Sequence, residues 1–343
     1  MNQNKGVLLV LSTAVISGFS IFVNQFGVKV IGSDIYTFLK NLVAGILVIA
    51  VLLLLREGRE IKKLWISAKS RPAPARLASY PTLPRLQGKL TCGQASLGRR
   101  AQREAGRSGW KDLGLLSLIG LIGGSIPFLL FFKGLSISTA GNGSLIHKTM
   151  FLFVAVLAII FLKEKLNKWL MSGILLMLIG NVFLLKFNTQ VILNRGDLLI
   201  LIATLLWAVE NILSKKALSY ISPRIVGASR MLLGCLFIMI YLIITGQFSQ
   251  LGHLNISQLA WVWLTGVILT AYILTWYSGL KYVNVSTASC LLALGAPVTT
   301  ILTLIQGQPL VINKFLGLAL LFGGAVLIVI AWRLTIASSE QIK

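Results

Sequence analysis

Five ionisable side chains interrupt stretches that are otherwise mostly apolar, and chemistry is expected from them first. The segment GSLIHKTMFLF, residues 143–153, sets His147 and Lys148 near the middle of a run from Ile137 to Leu162. Lys40, Glu210 and Arg230 fall inside three further runs. A charge at the centre of a bilayer costs several kcal/mol, so such residues persist where a polar cavity, a counter-charge or a ligand supports them.

A helical wheel places His147 and Lys148 in one sector with Ala140, Ser144, Phe151, Ala155 and Ala158. Lys40 stacks with Thr37 and Ala44, Arg230 with Gly227 and Gly234, and Glu210 with Ala203, Trp207, Ser214 and Ala217. Small residues let helices approach closely, so these faces are expected to point into a helix bundle. Several cations against one carboxylate favour a ligand with an anionic group, because each unmatched charge is costly once desolvated. A carboxylate- or phosphate-bearing metabolite fits, as does a zwitterion whose amine meets Glu210.

The substrate path is therefore assigned to His147, Lys148, Glu210, Arg230, Lys40, Trp207, Tyr272 and Trp276, the last two at i, i+4 spacing for stacking on a substrate. Glu210 and His147 are also candidates for proton coupling, since burial moves such groups toward the working range. Bland readings stay open beside these: pairing of Glu210 with Arg230 or Lys148, snorkelling of Lys40, and core or interface packing of the aromatic residues. No catalytic set, metal cluster or cofactor is expected. The only two histidines are His147 and His253, and Cys92, Cys235 and Cys290 lack ligand spacing. The chain also carries no glycine-rich phosphate loop ending in Lys-Ser or Lys-Thr.

The elements that must position these residues are long and apolar. Hydrophobic residues make up 56% of the chain and charged ones only 12%, about half the share usual in a soluble protein. Ten runs are long enough, or nearly so, to cross a bilayer: Gly6–Val28, Ile35–Leu55, Leu113–Phe132, Ile137–Leu162, Trp169–Leu185, Leu198–Leu213, Ile225–Thr245, Leu259–Leu280, Val283–Ile305 and Phe315–Trp332. The first is longer than a signal-peptide core and lacks a cleavage pattern, so it is expected to be retained. The expected fold is all-α and integral to the membrane, with ten transmembrane helices.

With the N-terminus in the cytoplasm, 24 of the 32 basic residues fall on the cytoplasmic side and five on the other, as the positive-inside rule requires. Both termini are then cytoplasmic, in a plasma-membrane protein. The net charge of +23 reads as a topology signal, and no nucleic acid is expected as a partner.

The chain also repeats itself. The stretch from Gly6 matches the stretch from Gly196 without a gap, which pairs Lys40 with Arg230. Further on, Gly134 pairs with Gly279, Ser144 with Ser289, Gly173 with Gly317 and Gly180 with Gly324. Two five-helix units are expected, residues 5–187 and 196–335. Because five is odd, the second enters the membrane from the opposite side, giving inverted repeats of the kind found in alternating-access transporters. Between the second and third helices, residues 67–109 are rich in Ala, Gly, Pro and Arg and form a basic cytoplasmic insert expected to be disordered and dispensable.

These residues resemble the EamA-type transporters of the drug/metabolite transporter superfamily over nearly the whole chain outside the insert. The resemblance rests on GDLLILIATLLWAVENILSKKAL, SPRIVGASRMLLG, LKYVNVSTASCLLALGAPVTTIL with Pro297, and FLKEKLNKWLMSGILLMLIGNVFLL. It implies a secondary transporter of small metabolites, often an exporter, with a small-molecule substrate, a proton or other ion as coupling partner, the lipid bilayer around it, and room for a homodimer. Two departures are HKTMFLF, where the family usually has a proline early in the fourth helix, and Gln308 at the position matching Glu164. A channel or lipid flippase of the same fold is the alternative, and a membrane-embedded enzyme lacks paired carboxylates to support it.

The topology yields a direct test. A reporter active only outside the cytoplasm should be silent when fused after Lys343 and active when fused between Lys186 and Arg195; the reverse pattern would mean that the orientation is wrong.

Overall fold

A computed structural model describes residues 3–55, 109–164, 167–184, 194–307 and 312–341. The insert expected at 67–109 lies outside the described residues except for Gly109, which begins a helix. Every regular element among the described residues is helical. The chain runs α1 (Gln3–Ile31), α2 (Ser33–Leu54), α3 (Gly109–Ile119), α4 (Ile126–Ile137), α5 (Ala140–Lys148), α6 (Met150–Leu157), α7 (Lys168–Leu184), α8 (Arg195–Ala217), α9 (Pro223–Ile244), α10 (Ile256–Tyr282), α11 (Val285–Leu292), α12 (Gly295–Ile305) and α13 (Ile312–Gln341).

Several of these form single spans. A π-helical turn at Gly120–Ser125 joins α3 to α4, another at Ala158–Leu162 extends α6, and tight turns link α5 to α6 and α11 to α12. Among the described residues, nine helical stretches are long and apolar enough to cross a membrane. The tenth expected crossing corresponds to α7, a shorter apolar helix of 17 residues, so the count of ten spans is not fixed by length and composition. The sixth expected run, Leu198–Leu213, proves longer, 23 residues, because Asn194 and Asp197 form a capping box that starts α8 upstream of it.

Local chemistry explains the starts and breaks. Gly32 turns the chain from α1 into α2 with φ at 93°, a conformation that only glycine adopts without strain. Pro223 sits in the first turn of α9 behind Ser222, whose hydroxyl accepts from Ile225 N–H. Pro297 has no N–H to offer the Ala293 carbonyl, which instead takes Ala296 N–H at 2.9 Å, and the span tightens between α11 and α12. In the other half Thr149 Oγ1 donates to Ile146 O at 2.7 Å at the join of α5 and α6. Thr149 and Leu294 stand at the same spacing as Gly134 and Gly279, so the two spans tighten at matching places.

Helix contacts cross between the halves through glycine. A Cβ on Gly134 would stand 2.6 Å from Gly196 O, and one on Gly196 2.7 Å from Gly134 O, so α4 and α8 meet backbone to backbone. The counterparts of these glycines do the same: a Cβ on Gly279 would stand 3.0 Å from Gly6 O, joining α10 to α1. On α7 and α13, Gly173 faces Gly324 and Gly180 faces Gly317. Close approach of small residues is the main source of packing between helices when lipid removes the hydrophobic drive. Outward-facing Ile160, Phe161, Leu175, Ile243, Ile301 and Phe322 form an apolar exterior suited to that lipid.

Gly180→Leu should therefore lower the stability of the detergent-solubilised protein by about 3 kcal/mol or more, because its Cβ alone would press Gly317 O and Leu321 N at 2.9 Å. Gly114→Leu, where a Cβ meets nothing within 4 Å, should change it by less than about 0.5 kcal/mol. Equal losses in thermal unfolding would contradict the close-packed seam.

Candidate functional site

A cavity lies where α1, α2, α4, α5, α6, α8, α9 and α10 converge. Seven of the eight residues assigned from sequence line it: Lys40, His147, Trp207, Glu210, Arg230, Tyr272 and Trp276. The amphipathic reasoning behind them rests on faces that are buried, Ala140, Ser144, Phe151, Ala155 and Ala158 beside His147, and Ala203, Ser214 and Ala217 beside Glu210.

The π-helical turn builds one pole. It contains Gly123, whose carbonyl is denied an N–H by Pro127 four residues on, and that oxygen accepts from Trp207 Nε1 at 2.9 Å and from Arg230 Nη2 at 3.0 Å. Gly123 must lack a side chain, since a Cβ there would run into Glu210, and one on Gly124 would meet the Arg230 backbone. Glu210 Oε1 accepts from Tyr277 OH at 2.7 Å and from Ser214 Oγ. Its other oxygen stands 4.0 Å from Arg230 Nη2, a loose ion pair, while the buried Arg230 Nε has no partner. Hydroxyls thus hold the carboxylate, and the guanidinium keeps donor capacity.

Lys40 builds the other pole with neutral support. Its ammonium donates to Asn24 Oδ1 at 3.0 Å, an oxygen that also accepts from Tyr36 OH at 2.6 Å. The Phe132 ring lies 3.7 Å from Nζ and those of Phe128 and Tyr36 at 5.5 and 5.6 Å, an aromatic cage that favours a cation. Asn24 is held in turn by its donations to Ser20 O and Ser20 Oγ.

Lys148 is placed differently: it is 2% exposed but not part of the lining. Its ammonium donates to Ser17 Oγ at 2.6 Å and lies where a Cβ on Gly295 would come within 2.8 Å, so it ties α5 to α1 at the head of α12. The adjacent His147 stands edge-on to Trp207 at 4.9 Å and to Phe131 at 5.6 Å, with Nδ1 unpartnered. Tyr272 and Trp276 stack with centroids 6.3 Å apart, and Trp276 Nε1 donates to Asn211 Oδ1 at 3.2 Å.

Sequence reasoning missed Ser17, Ser20, Asn24, Asn211 and Tyr277. A signal for the first three was present: Thr13, Ser17, Ser20 and Asn24 recur at steps of four, three and four, a polar stripe along one face of an apolar helix. Nothing in the sequence marked Tyr277, which adjoins the assigned Trp276 yet reaches Glu210 from another angle.

An all-helical bundle with an apolar exterior and a polar cavity among its helices defines a multi-pass membrane protein of the transporter kind. The sequence model of the EamA-like transporter family matches residues 95–186 and again 194–330, and the chain belongs to that family. Similar proteins include an uncharacterized transporter of Bacillus subtilis, YyaM, 25% identical over 62% of this chain and 70% of that one. An uncharacterized transporter of Archaeoglobus fulgidus is 26% identical over 64% of this chain and 79% of its own length. A solved crystal structure superposes with a TM-score of 0.64 over 96% of this chain and 98% of the other at 17% identity, a likeness of fold alone.

The hydroxyl support of Glu210 can be tested by Tyr277→Phe, which keeps the ring and removes one donor to a buried carboxylate. The change should lower unfolding free energy by about 1.5–3 kcal/mol. A loss below about 0.5 kcal/mol would mean that the hydroxyl does not hold the carboxylate.

Proposed function

We propose that the protein is a secondary-active exporter that carries a small metabolite with an anionic group, an amino acid or organic acid, across the plasma membrane by alternating access. The observation that carries this reading is the pair of buried cations, Lys40 and Arg230, presented to one cavity from matching positions of the sequence repeat. An unmatched cation in a desolvated cavity is costly, and an anionic ligand relieves that cost at the moment it binds. The aromatic walls supply apolar contact for the remainder of the substrate.

The two repeats, residues 5–187 and 196–335, rock against each other in this mechanism, with both termini in the cytoplasm. The reciprocal glycine contacts of α1 with α10 and α4 with α8 support that division, as do the separate family matches to residues 95–186 and 194–330, which break between the two units. Energy comes from a proton or other ion gradient, with Glu210 and His147 as the candidate coupling groups. Lys148 acts through Ser17 as a positioning residue, keeping α5 against α1 while the cavity changes access.

Reconstituted vesicles separate these roles. Flux of the transported anion should saturate; Arg230→Met should raise the half-saturation concentration by about tenfold or more, as loss of a charged contact does. Lys148→Met should slow maximal flux while leaving half-saturation within about threefold, because that side chain is not in the lining. Flux that rises linearly with concentration would instead favour a channel.

A further inference from the structure

The walls of the cavity are unequal in what they still offer a ligand. Most acceptors are engaged: Glu210 Oε1 takes two hydroxyls, Asn24 Oδ1 takes Tyr36 and Lys40, and Asn211 Oδ1 takes Trp276, while Glu210 Oε2 stands in its loose pair with Arg230. The donors are not. Among the described residues, the Lys40 ammonium has one hydrogen-bond partner, a neutral amide oxygen, and the buried Arg230 Nε has none.

Charge points the same way. Lys40 and Arg230 line the cavity and Lys148 lies buried behind it on Ser17, and Glu210 is the one carboxylate in the lining, so these four carry a formal excess of two positive charges. A zwitterion brings no net charge to offset this, and its ammonium at Glu210 Oε2 would stand beside the Arg230 guanidinium. A monoanion offsets half.

The two cations lie within reach of one short ligand. Lys40 Nζ and Arg230 Cζ each lie 5.5 Å from the centroid of Phe128, so they are at most twice that distance apart. Charge-assisted hydrogen bonds are about 2.7–2.9 Å long, so a ligand with two anionic groups on a short linker can reach both cations. We propose that the cavity selects a substrate with two separate anionic groups, of the short dicarboxylate class, one group held by Lys40 and the other by Arg230, and that it discriminates against amino-acid zwitterions. The proposal rests on reading the cavity as the transport site and narrows the substrate within it.

Thermal-shift titration of the purified full chain decides the matter, since a ligand that binds only the folded state raises apparent stability. The probes are malonate, succinate, glutarate and adipate, set against acetate and butyrate, alanine, and methyl phosphate as a dianion on one group. The best dicarboxylate should bind at least about tenfold more tightly than butyrate, with alanine giving no shift, as expected where a built donor would be left unpaired. Lys40→Met and Arg230→Met should each bring that advantage below about threefold, while the charge-retaining Lys40→Arg should keep it.

Equal binding of butyrate, preference for alanine or methyl phosphate, or an advantage that survives Lys40→Met would each overturn the two-anion site. If a variant does not fold, the wild-type ligand series alone still distinguishes these outcomes. Binding of monocarboxylates as tightly as dicarboxylates would leave the anionic-substrate reading standing. Absence of stabilisation by every anion would remove both.

Discussion

The carbonyl of Gly123 is the acceptor on which the site depends. A carbonyl released from a helical ladder inside a membrane has no water to turn to, and here Trp207 and Arg230 both donate to it. The π-helical turn that contains it packs against α9 so closely that Gly124 and Gly234 meet backbone to backbone. With Trp207 and Arg230 so held, Glu210 is left to Tyr277 and Ser214, and its loose contact with Arg230 follows. A substitution at Gly123 would disturb all of these together, because the space its Cβ needs is already filled by Glu210.

Matching positions in the two halves share packing but not chemistry. Gly6 with Gly279 and Gly134 with Gly196 make equivalent contacts, where anything larger than hydrogen would force helices apart. The cavity walls carry no such restriction. Lys40 stands where the other half has Arg230, and Ser20 and Asn24 stand where it has Glu210 and Ser214. One cation therefore rests on a neutral amide and aromatic faces, the other on a freed carbonyl and a carboxylate. Matching glycine contacts thus surround a cavity whose two cations rest on different supports.

The sequence by itself determined the apolar helices, their amphipathic faces and the ionisable residues of the cavity wall. Burial in a helix follows a fixed angular spacing, so Lys40, His147, Glu210 and Arg230 could be placed on inward faces without knowing what they met. The stripe from Thr13 to Asn24 obeyed the same rule and was equally legible. Which charges reach the cavity was a different matter. Lys148 follows His147 directly, yet one turns to the cavity and the other to Ser17, a choice made by the close approach of α1 and Gly295. The reach of Trp207 and Arg230 to the Gly123 carbonyl and of Tyr277 to Glu210 was likewise decided only by tertiary structure, because each depends on how near a neighbouring helix comes, and periodicity along one chain segment carries no measure of that distance.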